Sequence, residues 1–154
     1  EHSIELSKYL LLRENIKVEL TIKKDVEINS FYNELSHVFL NIITNAKDAL
    51  IDLIDEEARY IFINISKNQK NIVIEIFDNA MGIKDEIISR VFEPYFTTKH
   101  KSQGTGIGLY MSKILVDNNL KGNIAVENHT FIYNNKEFKG AKFIILLPIK
   151  LEKK

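Results

Sequence analysis

Three glycines at alternate positions, Gly104, Gly106 and Gly108, lie directly before a segment with helical periodicity. Glycine lets backbone N–H groups approach an anion closely, and the first turn of a helix adds the positive end of its dipole. The pattern therefore predicts a phosphate-binding loop, with a flexible connection into a helix as the alternative. It is not a P-loop, because the chain contains no GxxxxGK[ST] motif. It also departs from the dinucleotide-binding fingerprint, because its third glycine comes one residue early.

Asp78 is a second residue suited to ligand binding, because it ends a predicted strand and is followed by Gly82 in a turn. Its carboxylate can accept a hydrogen bond from an exocyclic amine such as that of adenine. An aspartate at this position also commonly closes a strand through an Asx-turn. The residue alone leaves both interpretations open.

Asn41, Asn45 and Asp48 form a polar stripe along a helix that we predict for residues 34–53. Asparagine is a poor helix former, so two of them four residues apart indicate a function, with a solvated flank as the alternative. The stripe lies beside the apolar face of the helix. That face consists of Leu35, Val38, Phe39, Ile42, Ile43, Ala46, Ala49, Leu50 and Leu53. Ser30 is the predicted N-cap.

Phe92, Tyr95 and Phe96 flank Pro94 and precede the donor-rich segment Thr97-Thr98-Lys99. This order suits a loop that is anchored by aromatic side chains and closes over an anionic ligand. Packing in an ordinary core is the alternative, and it fits Phe92 best.

The composition of the 154-residue chain excludes several other classes of function. Its 21 basic and 21 acidic side chains leave no net charge, so nucleic acid is not an expected partner. Cysteine is absent, which excludes disulfides and thiolate chemistry and fits a reducing compartment. The four histidines, at positions 2, 37, 100 and 129, show no metal-ligand spacing. No segment resembles a membrane span or a signal peptide, so we expect a cytoplasmic domain.

Alternating and helical periodicities predict a single α+β domain over residues 1–154. Helices are predicted at about residues 4–14, 34–53, 84–91 and 109–118, and strands at 16–22, 60–66, 71–77, 122–127, 131–133 and 141–148. The polar residues 67–70 predict a hairpin, and the last two strands form a closing antiparallel pair. This order indicates a two-layer α/β sandwich, with helices on one face of a mixed sheet.

Four segments in the order NIITNAKDAL, DNAMGI, FEPYFTTK and GTGIGL resemble the ATP-binding catalytic domain of sensor histidine kinases. That domain belongs to a superfamily shared with DNA gyrase, the heat-shock chaperone ATPases and the MutL mismatch-repair ATPases. The resemblance covers about residues 1–149, and the last two segments are closest to the nitrogen-regulation kinases. It implies the Bergerat-type fold, an ATP-dependent protein-histidine kinase activity, and ATP and Mg²⁺ as ligands.

The resemblance also implies roles for individual residues. Asn45 would coordinate the Mg²⁺ that bridges the ATP phosphates, with Asn41 supporting it and Asp48 at the same end of the pocket. Asp78 would accept from the adenine amino group, and Gly82 would let the backbone pass close to the base. The other nucleotide-binding residues would be Ile83, Thr98, Lys99, Gly104, Thr105, Gly106, Ile107, Gly108 and Leu109. Of these, Thr98, Lys99 and the glycine segment would form a lid and phosphate cradle. Catalysis would depend on Asn41, Asn45 and Lys99.

Two positions distinguish this chain within the superfamily. The ATP-hydrolysing members carry a glutamate that activates water at the position of Asn41, and an amide cannot take a proton at neutral pH. Asn41 therefore favours a kinase over an ATPase of the gyrase type. Ala80 stands where the family usually has glycine, and a positive φ there would cost alanine about 1 kcal/mol or more. Ala80 alone favours the alternative of a degenerate nucleotide-sensing or protein-binding module without phosphotransfer.

The expected partners follow from the same resemblance. A sensor kinase phosphorylates a histidine on a separate dimerisation domain, and a response regulator acts downstream. None of the four histidines here is followed by an acidic residue, as the phosphoaccepting histidine usually is. We therefore expect the catalytic part of a larger protein, monomeric by itself, which acts on its own dimerisation and phosphoacceptor domain.

Overall fold

The computed structural model describes residues 2–23, 26, 32–99 and 104–149. Within them, helices span His2–Arg13 (α1), Tyr32–Leu53 (α2), Asp85–Ile88 (α3) and Gly108–Ile114 (α4). A π-helical turn, Leu115–Asn119, continues α4, and a 3-10 turn, Glu56–Ala58, follows α2. Strands span Ile16–Ile22 (β1), Arg59–Lys67 (β2), Asn71–Asp78 (β3), Asn123–Tyr133 (β4) and Lys136–Pro148 (β5). The predicted Ser30 cap lies outside the described residues.

These strands form one mixed sheet in the order β1-β2-β3-β5-β4. β1 pairs with β2 in parallel, and the other neighbouring strands are antiparallel. The short polar connection 68–70 makes β2 and β3 the predicted hairpin, whereas the parallel pair is joined by the longer connection that contains α2. The α+β sandwich predicted from the sequence is confirmed.

α2 packs its apolar side against β2 and β3, as its periodicity predicts. Seven of the nine predicted residues are buried: Leu35, Val38, Phe39, Ile42, Ile43, Ala46 and Leu50. Ala49 is half-buried against the same core. The prediction for Leu53 is wrong, since its side chain is 61% exposed in the last turn and the next residue, Ile54, packs against the core instead. None of the described helices is long and apolar enough to span a membrane.

β4 is one continuous strand, so the prediction of two strands at 122–127 and 131–133 is wrong. Three polar residues interrupt the apolar alternation in the middle of this strand: Asn128, His129 and Thr130. The sequence pattern therefore does not show that the strand continues through them. The Asn128 side chain forms hydrogen bonds with the Ile83 backbone, and the His129 ring stacks on Phe131. Tertiary contacts therefore stabilise these polar residues in an extended strand.

The β4–β5 hairpin builds an aromatic cluster on the sheet face opposite the core, and it corrects the predicted start of β5. The turn falls at Asn134 and Asn135, both with positive φ, so β5 begins at Lys136 and not at residue 141. The clustered rings have centres 5.0–6.1 Å apart and belong to Tyr60, Phe62, Phe77, His129, Phe131, Tyr133 and Phe138. They alternate with core residues along the strands, which places them on the other face.

Arg59 holds the end of α2 against the start of β2. Its guanidinium donates hydrogen bonds to the carbonyls of Ile54 and Glu14, both at 2.9 Å, and of Ile51 at 3.4 Å. The last carbonyls of a helix have no partners within the helix and carry the negative end of its dipole. A buried cation here therefore fixes where α2 ends, and with it the position of the polar stripe.

Candidate nucleotide-binding site

The polar stripe of α2 meets Lys99, which follows the aromatic segment 92–96. The Lys99 ammonium lies 2.6 Å from Asp48 Oδ2 and 3.1 Å from Asn45 Oδ1. The Lys99 backbone N–H donates a hydrogen bond to Thr97 Oγ1 at 3.0 Å, which holds the chain in a short turn before the lysine. Two of the three stripe residues therefore contact a cation from a distant part of the sequence.

Asp48 has a second cationic neighbour, Lys47, whose ammonium lies 3.2 Å from Asp48 Oδ1. Partial burial by itself raises the pKa of Asp48, but the hydrogen bonds and positive charges of Lys99 and Lys47 outweigh burial and lower the pKa below its usual value. Asp48 is therefore ionised at neutral pH. This end of the site carries two ammonium groups and one carboxylate, and hence a net positive charge.

Asn41, the third stripe residue, joins α2 to α4. Its Nδ2 donates hydrogen bonds to the Gly108 carbonyl at 3.1 Å and to Ser112 Oγ at 3.0 Å. The Ser112 hydroxyl in turn donates to the Gly108 carbonyl at 3.0 Å. These bonds hold the first turn of α4 beside the stripe. Ser112 is fully buried, and our sequence reasoning missed it, although a serine on the inner side of a predicted helix was a usable signal.

The glycine segment 104–108 packs closely on its neighbours. A Cβ at Gly104 would lie 2.7 Å from Thr97 Oγ1 and 2.9 Å from Lys99 Cβ. A Cβ at Gly106 would lie 2.5 Å from the Tyr95 carbonyl carbon, and Gly106 also has a φ of +70°. Only glycine adopts this region without strain. The segment thus follows the chain from Tyr95 to Lys99 at one end and reaches Asn41 through Gly108 at the other.

Asp78 ends β3 with a side chain that is 5% exposed. Its Oδ1 accepts the N–H of Ala80 at 2.9 Å and of Ala141 at 3.4 Å. The bond to Ala80 is that of an Asx-turn, so this interpretation is confirmed, and Oδ2 takes part in neither bond and can accept a ligand donor. Burial raises the pKa of Asp78 to about 6, although the two backbone hydrogen bonds oppose the shift.

The turn after Asp78 places its positive φ angles at Met81 and Gly82, with values of +69° and +83°. Ala80 has no positive φ, and its methyl group belongs to the buried core. The strain considered for alanine at this position is therefore absent. Gly140 lies beneath the turn, and a Cβ there would collide with the Asp78 carbonyl oxygen.

Two asparagines that the sequence reasoning did not assign to the site hold this turn in place. Asn128 accepts from the Ile83 N–H at 2.7 Å and donates to the Ile83 carbonyl at 2.8 Å. Asn79 accepts from the Tyr60 N–H at 2.9 Å and donates to the Ala58 carbonyl at 2.6 Å. Asn79 directly follows Asp78, which was a usable signal, whereas Asn128 gave none because it lies 45 residues from Ile83.

The aromatic segment divides into a buried and an exposed part. Phe92 packs against Phe143 of β5 with ring centres 6.2 Å apart, so the core interpretation holds for it. Phe96 is half-buried under the Arg90 guanidinium, which lies 4.5 Å from its ring centre. Tyr95 is 79% exposed. The segment thus presents Tyr95 on the surface beside the glycine loop.

The predicted site residues fall into two groups. Contacts bring together Asn41, Asn45, Asp48, Lys99, Gly104 and Gly108 at one end, and Asp78, Gly82 and Ile83 lie together after β3. Thr98 and Thr105 lie nearer the surface, and Thr105 Oγ1 accepts the Ile107 N–H at 3.4 Å. Leu109 packs against the core. Among the described residues, no cluster of three or more His, Cys, Asp or Glu side chains forms a metal site.

Comparison with known proteins identifies the family of the chain. The model of the family described as histidine kinase-, DNA gyrase B-, and HSP90-like ATPase matches residues 32–151. Sporulation kinase A of Bacillus subtilis (strain 168) is 30% identical over 83% of this chain and 19% of its own length. Sporulation kinase E of the same organism is 31% identical over 88% of this chain and 17% of its own length. The chain spans less than a fifth of the length of these curated relatives.

Solved structures share the fold. The catalytic domain of histidine kinase ThkA has a TM-score of 0.76 and 24% identity, over 96% of this chain and 88% of that chain. The mycobacterial sensor histidine kinase MprB has a TM-score of 0.74 and 21% identity, over 96% of this chain and 92% of that chain. The family model and the sporulation kinases confirm the resemblance to the ATP-binding domain of sensor histidine kinases, and the solved structures confirm its fold. The chain therefore belongs to the family of histidine kinase-, DNA gyrase B- and HSP90-like ATPases.

Proposed function

We propose that this chain is the ATP-binding catalytic domain of a two-component sensor histidine kinase. It binds Mg-ATP and donates the γ-phosphoryl group to a histidine on a separate dimerisation domain. The observation that carries this proposal is the convergence of Asn45, Asp48 and Lys99 beside the glycine segment 104–108. An ammonium group, oxygen donors and close-packed glycines in one place suit a phosphate chain and its cation.

The two groups of site residues have distinct tasks in this proposal. Asp78 Oδ2 accepts a hydrogen bond from the adenine amino group, and the turn through Gly82 and Ile83 passes beside the base. Lys99 contacts the terminal phosphates and stabilises the charge of the transferred group. The backbone of the glycine segment, including Thr105 and Ile107, surrounds the phosphates, with Thr98 at its edge.

Asn45 fits Mg²⁺, because its amide oxygen is a hard donor of the kind that Mg²⁺ binds, and it lies 3.1 Å from the Lys99 ammonium proposed to meet the same phosphates. When held there by Asn45, Mg²⁺ would neutralise part of the charge of the phosphates. Asn41 gives both of its amide hydrogens to α4, so its contribution is to hold Gly108 and the helix start at the site. It has no group that can remove a proton from water, which favours transfer over hydrolysis.

The partners belong to the same proposal. A solved structure holds histidine kinase ThkA in complex with the response regulator protein TrrA, and its kinase chain has 21% identity to this chain. We propose a response regulator as the downstream partner here, and a cytoplasmic location for the domain, where ATP is available.

Ala80 gives no support to the alternative of a degenerate module without phosphotransfer, because it has no positive φ.

A thermal-melt titration with ADP and ATP, with and without Mg²⁺, tests the proposal. Ligand at about 100 times Kd stabilises a protein by about 2.7 kcal/mol, which raises the melting temperature of a domain of this size by about 5–10 °C. We expect a Mg²⁺-assisted rise that Asp78→Asn abolishes. A histidine domain is then added to measure phosphoryl transfer from ATP. The absence of any rise at millimolar nucleotide would refute the proposal.

A further inference from the structure

Asp48 forms an ion pair that connects two distant parts of the candidate site. Its Oδ2 lies 2.6 Å from the Lys99 ammonium, and the two side chains are about equally exposed, at 28% and 26%. The same ammonium lies 3.1 Å from Asn45 Oδ1. The pair therefore fixes the free end of a long, flexible side chain next to the residue proposed to hold the metal ion.

The ion pair holds Lys99 without neutralising the site. Asp48 Oδ1 also contacts the Lys47 ammonium at 3.2 Å, so one carboxylate is shared by two cations. One positive charge remains, and an anion can still be attracted to the ammonium of Lys99. The rest of Lys99 is restrained as well, because its backbone N–H donates a hydrogen bond to Thr97 Oγ1 and its side-chain stem packs closely on Gly104.

We propose that Asp48 is a positioning residue that holds the Lys99 ammonium in place for the terminal phosphate of the nucleotide. A free lysine loses several rotamers when it binds a phosphate, whereas a lysine already held by a carboxylate has lost them before the ligand arrives. Asp48 itself contacts neither the nucleotide nor Mg²⁺ in this proposal. The inference rests on the proposed function, because it assumes that phosphates bind at Lys99.

The sign of the effect of Asp48→Asn separates positioning from simple electrostatics. Loss of the carboxylate makes the site more positive, so charge alone would tighten the binding of ADP and ATP. Loss of positioning weakens it instead. We expect Asp48→Asn to weaken ADP and ATP binding about three- to tenfold in calorimetric titrations, the range given by immobilising one long side chain. AMP lacks the terminal phosphates, and its affinity should stay within about twofold.

A double-mutant cycle with Lys99→Met shows whether Asp48 acts through Lys99. In the Lys99→Met background, Asp48→Asn should produce no further loss, because there is no ammonium left to position. Asp52→Asn is the matched control, since it removes an exposed carboxylate four residues further along α2. It should leave the ADP and AMP affinities unchanged. Melts without nucleotide establish that each variant is folded.

Titrations in EDTA separate positioning from metal binding. The loss caused by Asp48→Asn should persist without metal, because the phosphate–lysine contact does not need it. The inference would be overturned if Asp48→Asn tightened ADP binding, or weakened AMP and ADP binding equally. It would also be overturned if the losses of affinity were additive in the double-mutant cycle, or occurred only in buffer that contains Mg²⁺. Those results leave the proposed function standing if the wild-type chain binds ADP. A wild-type chain that binds no adenine nucleotide would overturn both.

Discussion

Asp78→Asn should make the domain more stable while removing its nucleotide binding. The Asp78 carboxyl is buried, and burial raises its pKa from 3.8 to about 6. The unfolded chain ionises this group at its ordinary pKa, so above pH 6 the folded state holds a charge that burial disfavours. This difference between the pKa of Asp78 in the folded and in the unfolded chain corresponds to about 3 kcal/mol of lost stability at neutral pH.

The substitution removes the charge and keeps the fold. The amide oxygen that Asp78→Asn introduces would still accept the N–H groups of Ala80 and Ala141, which Asp78 Oδ1 accepts in the wild type. We therefore expect a melting temperature about 6–12 °C higher than the wild type at pH 7.5, from the usual relation for a domain of this size. ADP should cause no further rise, because the amide that replaces the carboxylate presents a donor to the adenine amine.

The pH dependence follows from the sign of the shift. A carboxyl with a raised pKa contributes its full stability below the unfolded value of 3.8 and loses it as the pH rises through about 6. The advantage of Asp78→Asn should therefore be largest above pH 6 and nearly absent at pH 4. ADP binding by the wild type should weaken below pH 6, as Asp78 takes up a proton.

Differential scanning calorimetry from pH 4 to pH 8, with and without ADP, measures both effects. Asp52→Asn serves as the control for the loss of an exposed carboxylate. A lower melting temperature for Asp78→Asn at pH 7.5 would refute the claim that the buried charge is destabilising. A stability gain of the same size at pH 4 would show that it has another origin.

Four further substitutions test other parts of the site. Tyr95→Ala should reduce phosphoryl transfer to an added histidine domain at least about fivefold and leave the ADP affinity within about twofold, because the exposed ring is available to a docking partner. Ala80→Gly should lower the free energy of unfolding by about 1 kcal/mol, because it removes a buried methyl group, and leave ADP binding unchanged. Gly106→Ala should lower the free energy of unfolding by about 2–4 kcal/mol, because it combines a positive φ with a collision against the Tyr95 backbone. Gly108→Ala should lower it less, because the new Cβ would meet Asn41 only at 3.5 Å.

Each of these predictions has a contradicting result. Equal losses of transfer and ADP binding in Tyr95→Ala would place the ring in the nucleotide site. A clear loss of ADP affinity in Ala80→Gly would mean that the turn after β3 has been assigned the wrong role. Chemical denaturation that finds Gly106→Ala as stable as Gly108→Ala would refute the close approach of the glycine segment to Tyr95.

The sequence by itself determined most of the secondary-structure elements and the residues suited to the site. The apolar period of α2 and the alternation in β1, β2 and β3 are local patterns, and local patterns select helix or strand. The same periodicity separated the polar stripe from the buried face. Glycine and asparagine signals identified the turn after Asp78 and the segment 104–108, because turn chemistry is also local.

Local patterns failed where distant contacts decide the structure. The polar residues 128–130 predicted a break, yet they continue β4 because Asn128 binds the backbone 45 residues away. Leu53 has the right helical phase for burial, but the helix ends there and the side chain faces solvent. The motif suggested a strained, positive φ at Ala80, whereas the positive φ angles of this turn fall on the next two residues.

The pairing of the site residues was decided by the tertiary structure alone. Lys99 meets Asp48 across 51 residues, and Asn41 meets Ser112 across 71. The raised pKa of Asp78 likewise depends on how much water the packed chain removes from it. The spacing of residues along the chain does not determine the distance between side chains on different elements. Those distances are set when α2, α4 and the sheet pack together, because packing must satisfy burial and hydrogen bonding for all of them at once.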